Sequence, residues 1–161
     1  MSISIGDKIP SVSTKVMGAD GLEDFNIADH IAGKKVVLFA VPGAFTPSCN
    51  DDHLPGYVMS SDKIKAAGIT DIICTSVNDP FVMKAWGTSL NTDGNVTMVA
   101  DGNGEFAAAM GMTFDAAGAG LATRSKRYSM IVNDGVVEAL NVEDVPSDVK
   151  ASSAENLLSQ L

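Results

Sequence analysis

Two cysteines, Cys49 and Cys74, and two histidines, His30 and His53, are the only thiols and imidazoles in this chain of 161 residues. Cys49 has the most suggestive surroundings. The stretch Pro42-Gly-Ala-Phe-Thr-Pro-Ser-Cys49 closes an apolar run and opens what reads as a helix. In open α/β sheets, ligands bind at that edge. Pro47 suits a helix start, so Cys49 falls in or beside the first turn. There, unpaired backbone N–H groups and the positive end of the helix dipole favour a thiolate, the nucleophilic form of cysteine. Thr46 can set its hydroxyl beside the sulfur, accepting one hydrogen bond and donating another. Pro42 and Pro47 would stiffen the loop and shield the sulfur from water. The competing explanation for any single cysteine is inert packing. For Cys74, inside the apolar run Ile72-Ile73-Cys74, packing is the stronger reading.

Other chemistries have less support. The two cysteines are too far apart for a Cys-x-x-Cys dithiol, and two histidines give no zinc spacing, so no metal is expected. His53 lies one turn beyond Cys49, which raises a cysteine–histidine hydrolase. No hydrolase signature surrounds this cysteine, and a structural histidine where the helix packs on a loop is favoured. Gly102-Asn-Gly104 is too short for a dinucleotide fingerprint and lacks a ribose-binding acid at the right offset.

The elements that must hold the loop are readable from hydrophobic pattern. Val36 to Val41 is a continuous apolar run closed by Pro42-Gly43, the pattern of a strand buried on both faces. A helix is predicted from about Pro47 to Ala67, with Gly68 ending it and Pro55 kinking it. Asp71 to Val77 reads as a strand, and Asn78-Asp79-Pro80 as the cap of a helix from Phe81 to about Leu90. Val96 to Ala100 is a further strand, followed by Asp101-Gly-Asn-Gly104 and a short helix through Met110. Tyr128 to Asn133, Asp134-Gly135 and Val136 to Val142 carry a β-hairpin pattern. Ser152-Ser-Ala-Glu155 resembles a capping box for a final helix ending at Leu161, and Ala116 to Ala122 reads as a mobile surface loop or weak helix. The sum is one α/β domain spanning residues 1–161. Its central mixed sheet is flanked by helices, with a hairpin and a helix at the C-terminal end.

Composition narrows the function classes. The chain is 45% apolar and 19% charged, which is ordinary for a globular protein. Its 11 basic and 20 acidic residues give a formal charge of −9, which repels nucleic acid and anionic lipid. No apolar run approaches the ~18–20 residues of a membrane span, and no signal-peptide pattern opens the chain. A cytoplasmic protein is expected. On that reading the sequon Asn95-Val96-Thr97 is chance.

The segment Pro42-Gly-Ala-Phe-Thr-Pro-Ser-Cys-Asn-Asp-Asp-His-Leu-Pro-Gly-Tyr57 resembles the active-site segment of peroxiredoxins, in the form typical of the type II, or peroxiredoxin-5-like, subfamily. Further matching blocks are Ser76-Val-Asn-Asp-Pro-Phe-Val-Met-Lys-Ala-Trp86, Asp101-Gly-Asn-Gly-Glu-Phe106 and Lys126-Arg-Tyr-Ser-Met130. The likeness is colinear over essentially the whole chain. It implies a thioredoxin-like fold and a thiol-dependent peroxidase reducing hydrogen peroxide and alkyl hydroperoxides through a Cys49 sulfenic acid. It also implies a role in antioxidant defence and no metal, haem or flavin cofactor. Cys49 then matches the peroxidatic cysteine, Thr46 and Pro42 its motif partners, and Arg127 the active-site arginine. Arg127 is preferred to Arg124 because it stands before the aromatic-Ser-Met run.

The resemblance further implies a homodimer formed through loops near the active site. Some members carry a resolving cysteine near the C-terminal helix, where this chain reads Lys150-Ala-Ser-Ser-Ala154 without sulfur. Cys74 matches the second cysteine of plant-type members and is a possible resolving residue, at the expense of local opening. The expected reductant is therefore an external thiol, glutathione with glutaredoxin, or thioredoxin. Two other classes stay open: a redox-sensing or holdase-like interaction protein using the same cysteine, and a non-enzymatic thioredoxin-fold binding module.

Overall fold

The computed structural model describes residues 1–161. Strands β1 (Ser13–Gly18) and β2 (Gly21–Asn26) lead through the short helix α1 (Ile27–His30) to β3 (Lys35–Ala40). The helical stretch beyond β3 has two parts, a π-helical turn over Cys49–His53 and then α2 (Leu54–Ala66). Next come β4 (Asp71–Ser76), α3 (Pro80–Ser89), β5 (Thr97–Ala100) and α4 (Glu105–Ala109). The short strands β6 (Thr113–Asp115) and β7 (Thr123–Ser125) precede the hairpin of β8 (Tyr128–Asn133) and β9 (Val136–Val142). Helix α5 (Ala154–Ser159) follows. Seven strands form one sheet in the order β2-β1-β5-β4-β3-β8-β9, and β6 pairs with β7 apart from it. The β3–β4 and β4–β5 pairs are parallel, whereas β1, β8 and β9 pair antiparallel. This is the expected mixed sheet. No helix is long and apolar enough to cross a membrane.

β3 is the strand on which the site depends. It is hydrogen-bonded on both edges, to β4 and to β8, and Val36 to Ala40 are fully buried. Its side chains alternate between two apolar layers. Val37, Phe39 and Val41 join Tyr57, Ile64, Trp86 and Leu157 from α2, α3 and α5. Val36, Leu38 and Ala40 join Ile27, Phe106 and Met110 on the opposite face. Burying each large side chain contributes about 1.5–3 kcal/mol, so the end of β3 is a firm platform for the loop that follows. Both cysteines belong to the first layer.

Two local expectations are corrected, and the stretch expected as a surface loop or weak helix is given its form. The predicted kink at Pro55 is replaced by the π turn, in which the Leu54 N–H bonds to the Cys49 carbonyl five residues back. Proline has no N–H and crowds the carbonyl four residues earlier. A wider turn ahead of Pro55 absorbs this without breaking the helix, and such turns recur at functional sites. The cap of α5 is Ser153, accepting from the Asn156 N–H, while the Ser152 hydroxyl donates to Glu143. Ala116 to Ala122 is the closed end of the β6–β7 hairpin, pinned by Ala116 N–H to Ala122 O at 2.7 Å and containing one 3-10 turn.

The β1–β2 hairpin, although Asp20-Gly21 carries turn chemistry, lies at the sheet edge with an exposed Leu22, so its strands show no clean alternation. At Asp134-Gly135 both residues take positive φ, 49° and 79°. That is the geometry a two-residue hairpin needs and the reason the sequence signal succeeds there.

Candidate active site

The loop after β3 is held from three sides. The Asn78 side-chain oxygen accepts the Ala44 N–H (2.9 Å) and the Ser76 hydroxyl (2.6 Å). Arg124 donates from Nη1 to the Pro42 carbonyl at 3.2 Å. Inside the loop, Thr46 donates its hydroxyl to the Gly43 carbonyl at 2.7 Å. A side chain at position 43 would meet Arg124 Nη1 at 2.8 Å, so a larger residue there would displace the Arg124 guanidinium. Phe45 has φ of 63°, a left-handed conformation that strains a bulky residue. Neither the Ser48 nor the Cys49 N–H makes a hydrogen bond to backbone, so both donors at the head of the π turn remain available.

Cys49 is fully buried and accepts a hydrogen bond from Arg127 Nη2 at 3.0 Å. Arg127 is 2% exposed, and its guanidinium forms three contacts. Nη2 reaches the sulfur, Nη1 reaches His53 Nδ1 at 2.9 Å, and Nε donates to the Pro146 carbonyl at 2.9 Å. None of these partners is a carboxylate, and Arg127 takes part in no ion pair with Asp or Glu. A buried cation needs a counter-charge. The sulfur of Cys49 is the one group in contact that can provide it.

His53 is buried, and burial together with the neighbouring Arg127 cation holds its pKa down to about 3. The neutral ring accepts from Arg127 at Nδ1, which leaves Nε2 to donate to the Ser152 carbonyl at 3.0 Å. The Tyr57 hydroxyl donates to the same carbonyl at 2.7 Å. Behind it, the Glu143 carboxylate accepts the N–H groups of Lys150, Ala151 and Ser152 and the Ser152 hydroxyl. Burial raises the Glu143 pKa, but these four hydrogen bonds outweigh it and the net shift is downward. Cys74 lies buried in the same apolar layer but inside a strand. Desolvation, and then the proximity of Cys49, push its thiol well above the usual range.

A cavity of about 450 Å³ opens onto this cluster. Pro42, Thr46 and Arg127 line it together with Phe114, Leu121 and Pro146. No group of three or more His, Cys, Asp or Glu side chains is placed to hold a metal ion.

The Redoxin family matches residues 4–158 of the chain. Peroxiredoxin-2D of Arabidopsis thaliana is 41% identical over 160 residues, covering 99% of this chain and 98% of the relative. The chloroplastic peroxiredoxin-2E of the same plant is 42% identical over 164 residues, covering 99% and 70% respectively. A crystal structure of reduced Prx3 from Vibrio vulnificus in complex with hydrogen peroxide superposes with a TM-score of 0.93 at 45% identity, covering 98% of each chain. The chain belongs to the type II peroxiredoxins. Its fold is thioredoxin-like and its activity is that of a thiol peroxidase.

Within this peroxiredoxin the sequence-predicted residues converge. Cys49 and Arg127 are in contact, and Pro42 and Thr46 line the cavity beside them. The expected hydrogen bond from Thr46 to the sulfur is replaced by the one to Gly43, which leaves the Thr46 lone pairs free to accept. Arg124, set aside in favour of Arg127, serves the peroxiredoxin as the clamp on Pro42. His53 lies where the helix packs on the loop before α5, and its ring contacts both that loop and the arginine that touches the sulfur. Asn78 and Ser152 carried only helix-cap signals in the sequence and Glu143 none, because contacts directed at backbone leave no spacing motif. Cys74 sits inside β4, between Phe39 and Met98 on the neighbouring strands, and both cysteines are free thiols.

Proposed function

We propose that Cys49 is the peroxidatic nucleophile, with Arg127, Thr46 and Pro42 as its partners. The observation that carries this is the buried Arg127 guanidinium, whose only possible anionic contact is Cys49 Sγ at 3.0 Å. The thiolate attacks the nearer oxygen of a hydroperoxide, so an S–O bond forms while the O–O bond breaks. The departing oxygen takes up a proton and leaves as water or an alcohol, and Cys49 becomes a sulfenic acid. Arg127 and the free Ser48 and Cys49 amides are the donors that would stabilise the charge that develops, and the Thr46 hydroxyl, whose hydrogen goes to Gly43, would accept from the hydroperoxide O–H. The apolar Phe114, Leu121 and Pro146 walls support hydroperoxides with organic substituents as substrates beside hydrogen peroxide. Rapid mixing of wild type and Cys49→Ser with hydrogen peroxide and cumene hydroperoxide tests this. An undiminished rate in the variant overturns it.

A small external thiol regenerates the enzyme in this reading. It attacks the sulfenic acid with loss of water, and a second thiol releases Cys49 from the mixed disulfide. Two features support an external donor: Lys150 to Ala154 contains no sulfur, and Cys74 is held by strand pairing on both sides of β4. Turnover with glutathione and glutaredoxin, compared with thioredoxin, identifies the donor, and an intramolecular disulfide formed by one equivalent of peroxide refutes the scheme. The same proposal takes residues 1–161 as one domain and the cytoplasm as its location, tested by limited proteolysis and cell fractionation. Phe45 and Phe81, 52% and 61% exposed on the active-site loop and the first turn of α3, support a homodimer through this face. Sedimentation of wild type against Phe45→Ser checks it.

A further inference from the structure

The chain of contacts behind Arg127 continues to the opposite side of the loop that precedes α5. We infer that His53 and Glu143 are positioning residues that fix the Arg127 guanidinium on Cys49, acting through the backbone carbonyl of Ser152. This rests on Cys49 as the nucleophile and extends it.

The geometry leaves one consistent assignment of protons. Arg127 Nη1 has only hydrogens to offer, so His53 Nδ1 must present a lone pair to it across 2.9 Å. A neutral imidazole then carries its hydrogen on Nε2, where the Ser152 carbonyl accepts it at 3.0 Å. The opposite tautomer would set two donors against each other at Nδ1 and leave Nε2 facing a carbonyl with no hydrogen between them. Either conflict drives the guanidinium from the sulfur. The Ser152 carbonyl is thus what selects the tautomer.

That carbonyl points inward because Glu143 folds the backbone around its own carboxylate. Three successive amides, of Lys150, Ala151 and Ser152, donate to Glu143, and the Ser152 hydroxyl adds a fourth bond at 2.6 Å. These bonds hold Ser152 by its own N–H and hydroxyl; the next peptide, which carries the Ser152 carbonyl, is held by the Ser153 N–H donating to the Lys150 carbonyl at 3.3 Å, and Ser152 itself is fully buried. Titratable groups near the ring are Arg127, Cys49, Tyr57 and Glu143. Asp52, Lys150 and Glu155 line the cavity of about 660 Å³ that His53 borders. No carboxylate contacts the imidazole, so none competes with Ser152 for its hydrogen.

Asparagine and glutamine separate the two halves of the arrangement. In His53→Asn the side-chain oxygen stands near the place of Nδ1 and can accept from Arg127. In His53→Gln the amide nitrogen stands near the place of Nε2 and keeps the bond to Ser152. We expect His53→Ala to lower the peroxide rate constant by roughly tenfold or more and to move the pH profile of Cys49 alkylation toward alkaline pH. His53→Asn should recover part of both losses and His53→Gln neither. Glu143→Gln should show the same alkaline displacement at about threefold lower rate. Equal losses in all three His53 variants with an unmoved pH profile would reduce His53 to packing and overturn the inference. An unmoved profile in Glu143→Gln overturns the part assigned to Glu143.

Nitrogen NMR of the wild-type imidazole between pH 6 and 8 reads the tautomer without turnover or mutation. Hydrogen on Nε2 is required, and hydrogen on Nδ1 refutes the scheme. Because this readout is independent of peroxide, it separates a failure here from a failure of Cys49 as the nucleophile.

Discussion

Cys49 and Cys74 lie in one apolar layer, are both fully buried and both carry free thiols, yet their surroundings are opposite in character. Cys74 is in the middle of β4, its neighbours across the ladders are Phe39 and Met98, and burial lifts its pKa well above the usual range. Cys49 stands where a strand has ended and a π turn begins, with a guanidinium at 3.0 Å and unused amides at its own end of the turn. Burial by itself therefore does not decide whether a thiol reacts. What decides is which charges and dipoles burial traps beside it, since the low-dielectric interior magnifies both their presence and their lack.

Substitution at the two sulfurs should exaggerate the contrast. Cys49→Ser is expected to lower the rate of peroxide consumption by at least ~10³-fold, with Cys74→Ala staying within about threefold of wild type in the same stopped-flow assay. Removing the cation should make the two thiols more alike. Arg127→Gln is expected to cost about 10²-fold in the second-order rate constant, roughly 3 kcal/mol, and competitive alkylation should then discriminate less between the two cysteines.

Acid should loosen the support around Cys49 first. In the unfolded chain His53 takes up a proton near pH 6.5, but in the fold only near 3. Between those values the unfolded state binds the extra proton, so stability falls as pH drops, by up to ~1.4 kcal/mol per pH unit. Glu143, whose pKa is lowered on folding, adds a further loss below its usual 4.5. Urea midpoints at pH 7, 5.5 and 4 should show the decline, and His53→Asn should flatten the upper part alone. The smallest effect belongs to Cys74. Cys74→Ala should cost about 1 kcal/mol of stability, seen in a urea melt, and leave the pH profile of Cys49 alkylation in place.

How legible the molecule was in its sequence varied with the range of the forces involved. β3, β4, the capped helix α3 and the β8–β9 hairpin were readable because apolar runs, Asp79-Pro80 and Asp134-Gly135 act over a few residues. The short strands β6 and β7 and the edge hairpin β1–β2 were not assigned, since three-residue or exposed strands carry too little pattern. The π turn escaped notice because Pro55 announces a disturbance but not the form it takes. At the site, Cys49, Thr46 and Pro42 share one loop and so share one motif. Arg127 entered through the family resemblance alone.

By itself, the sequence determined an α/β scaffold with a strand that delivers Cys49 to a helix start, because hydrophobic period and turn chemistry are local. Only the tertiary structure decided that Arg127, 78 positions along the chain, lies against the sulfur. It also decided that Ser152, 99 positions from His53, sets the ring that steadies the arginine. Those pairings depend on how the strands order themselves and on where buried polar groups must find partners, and no local pattern records either.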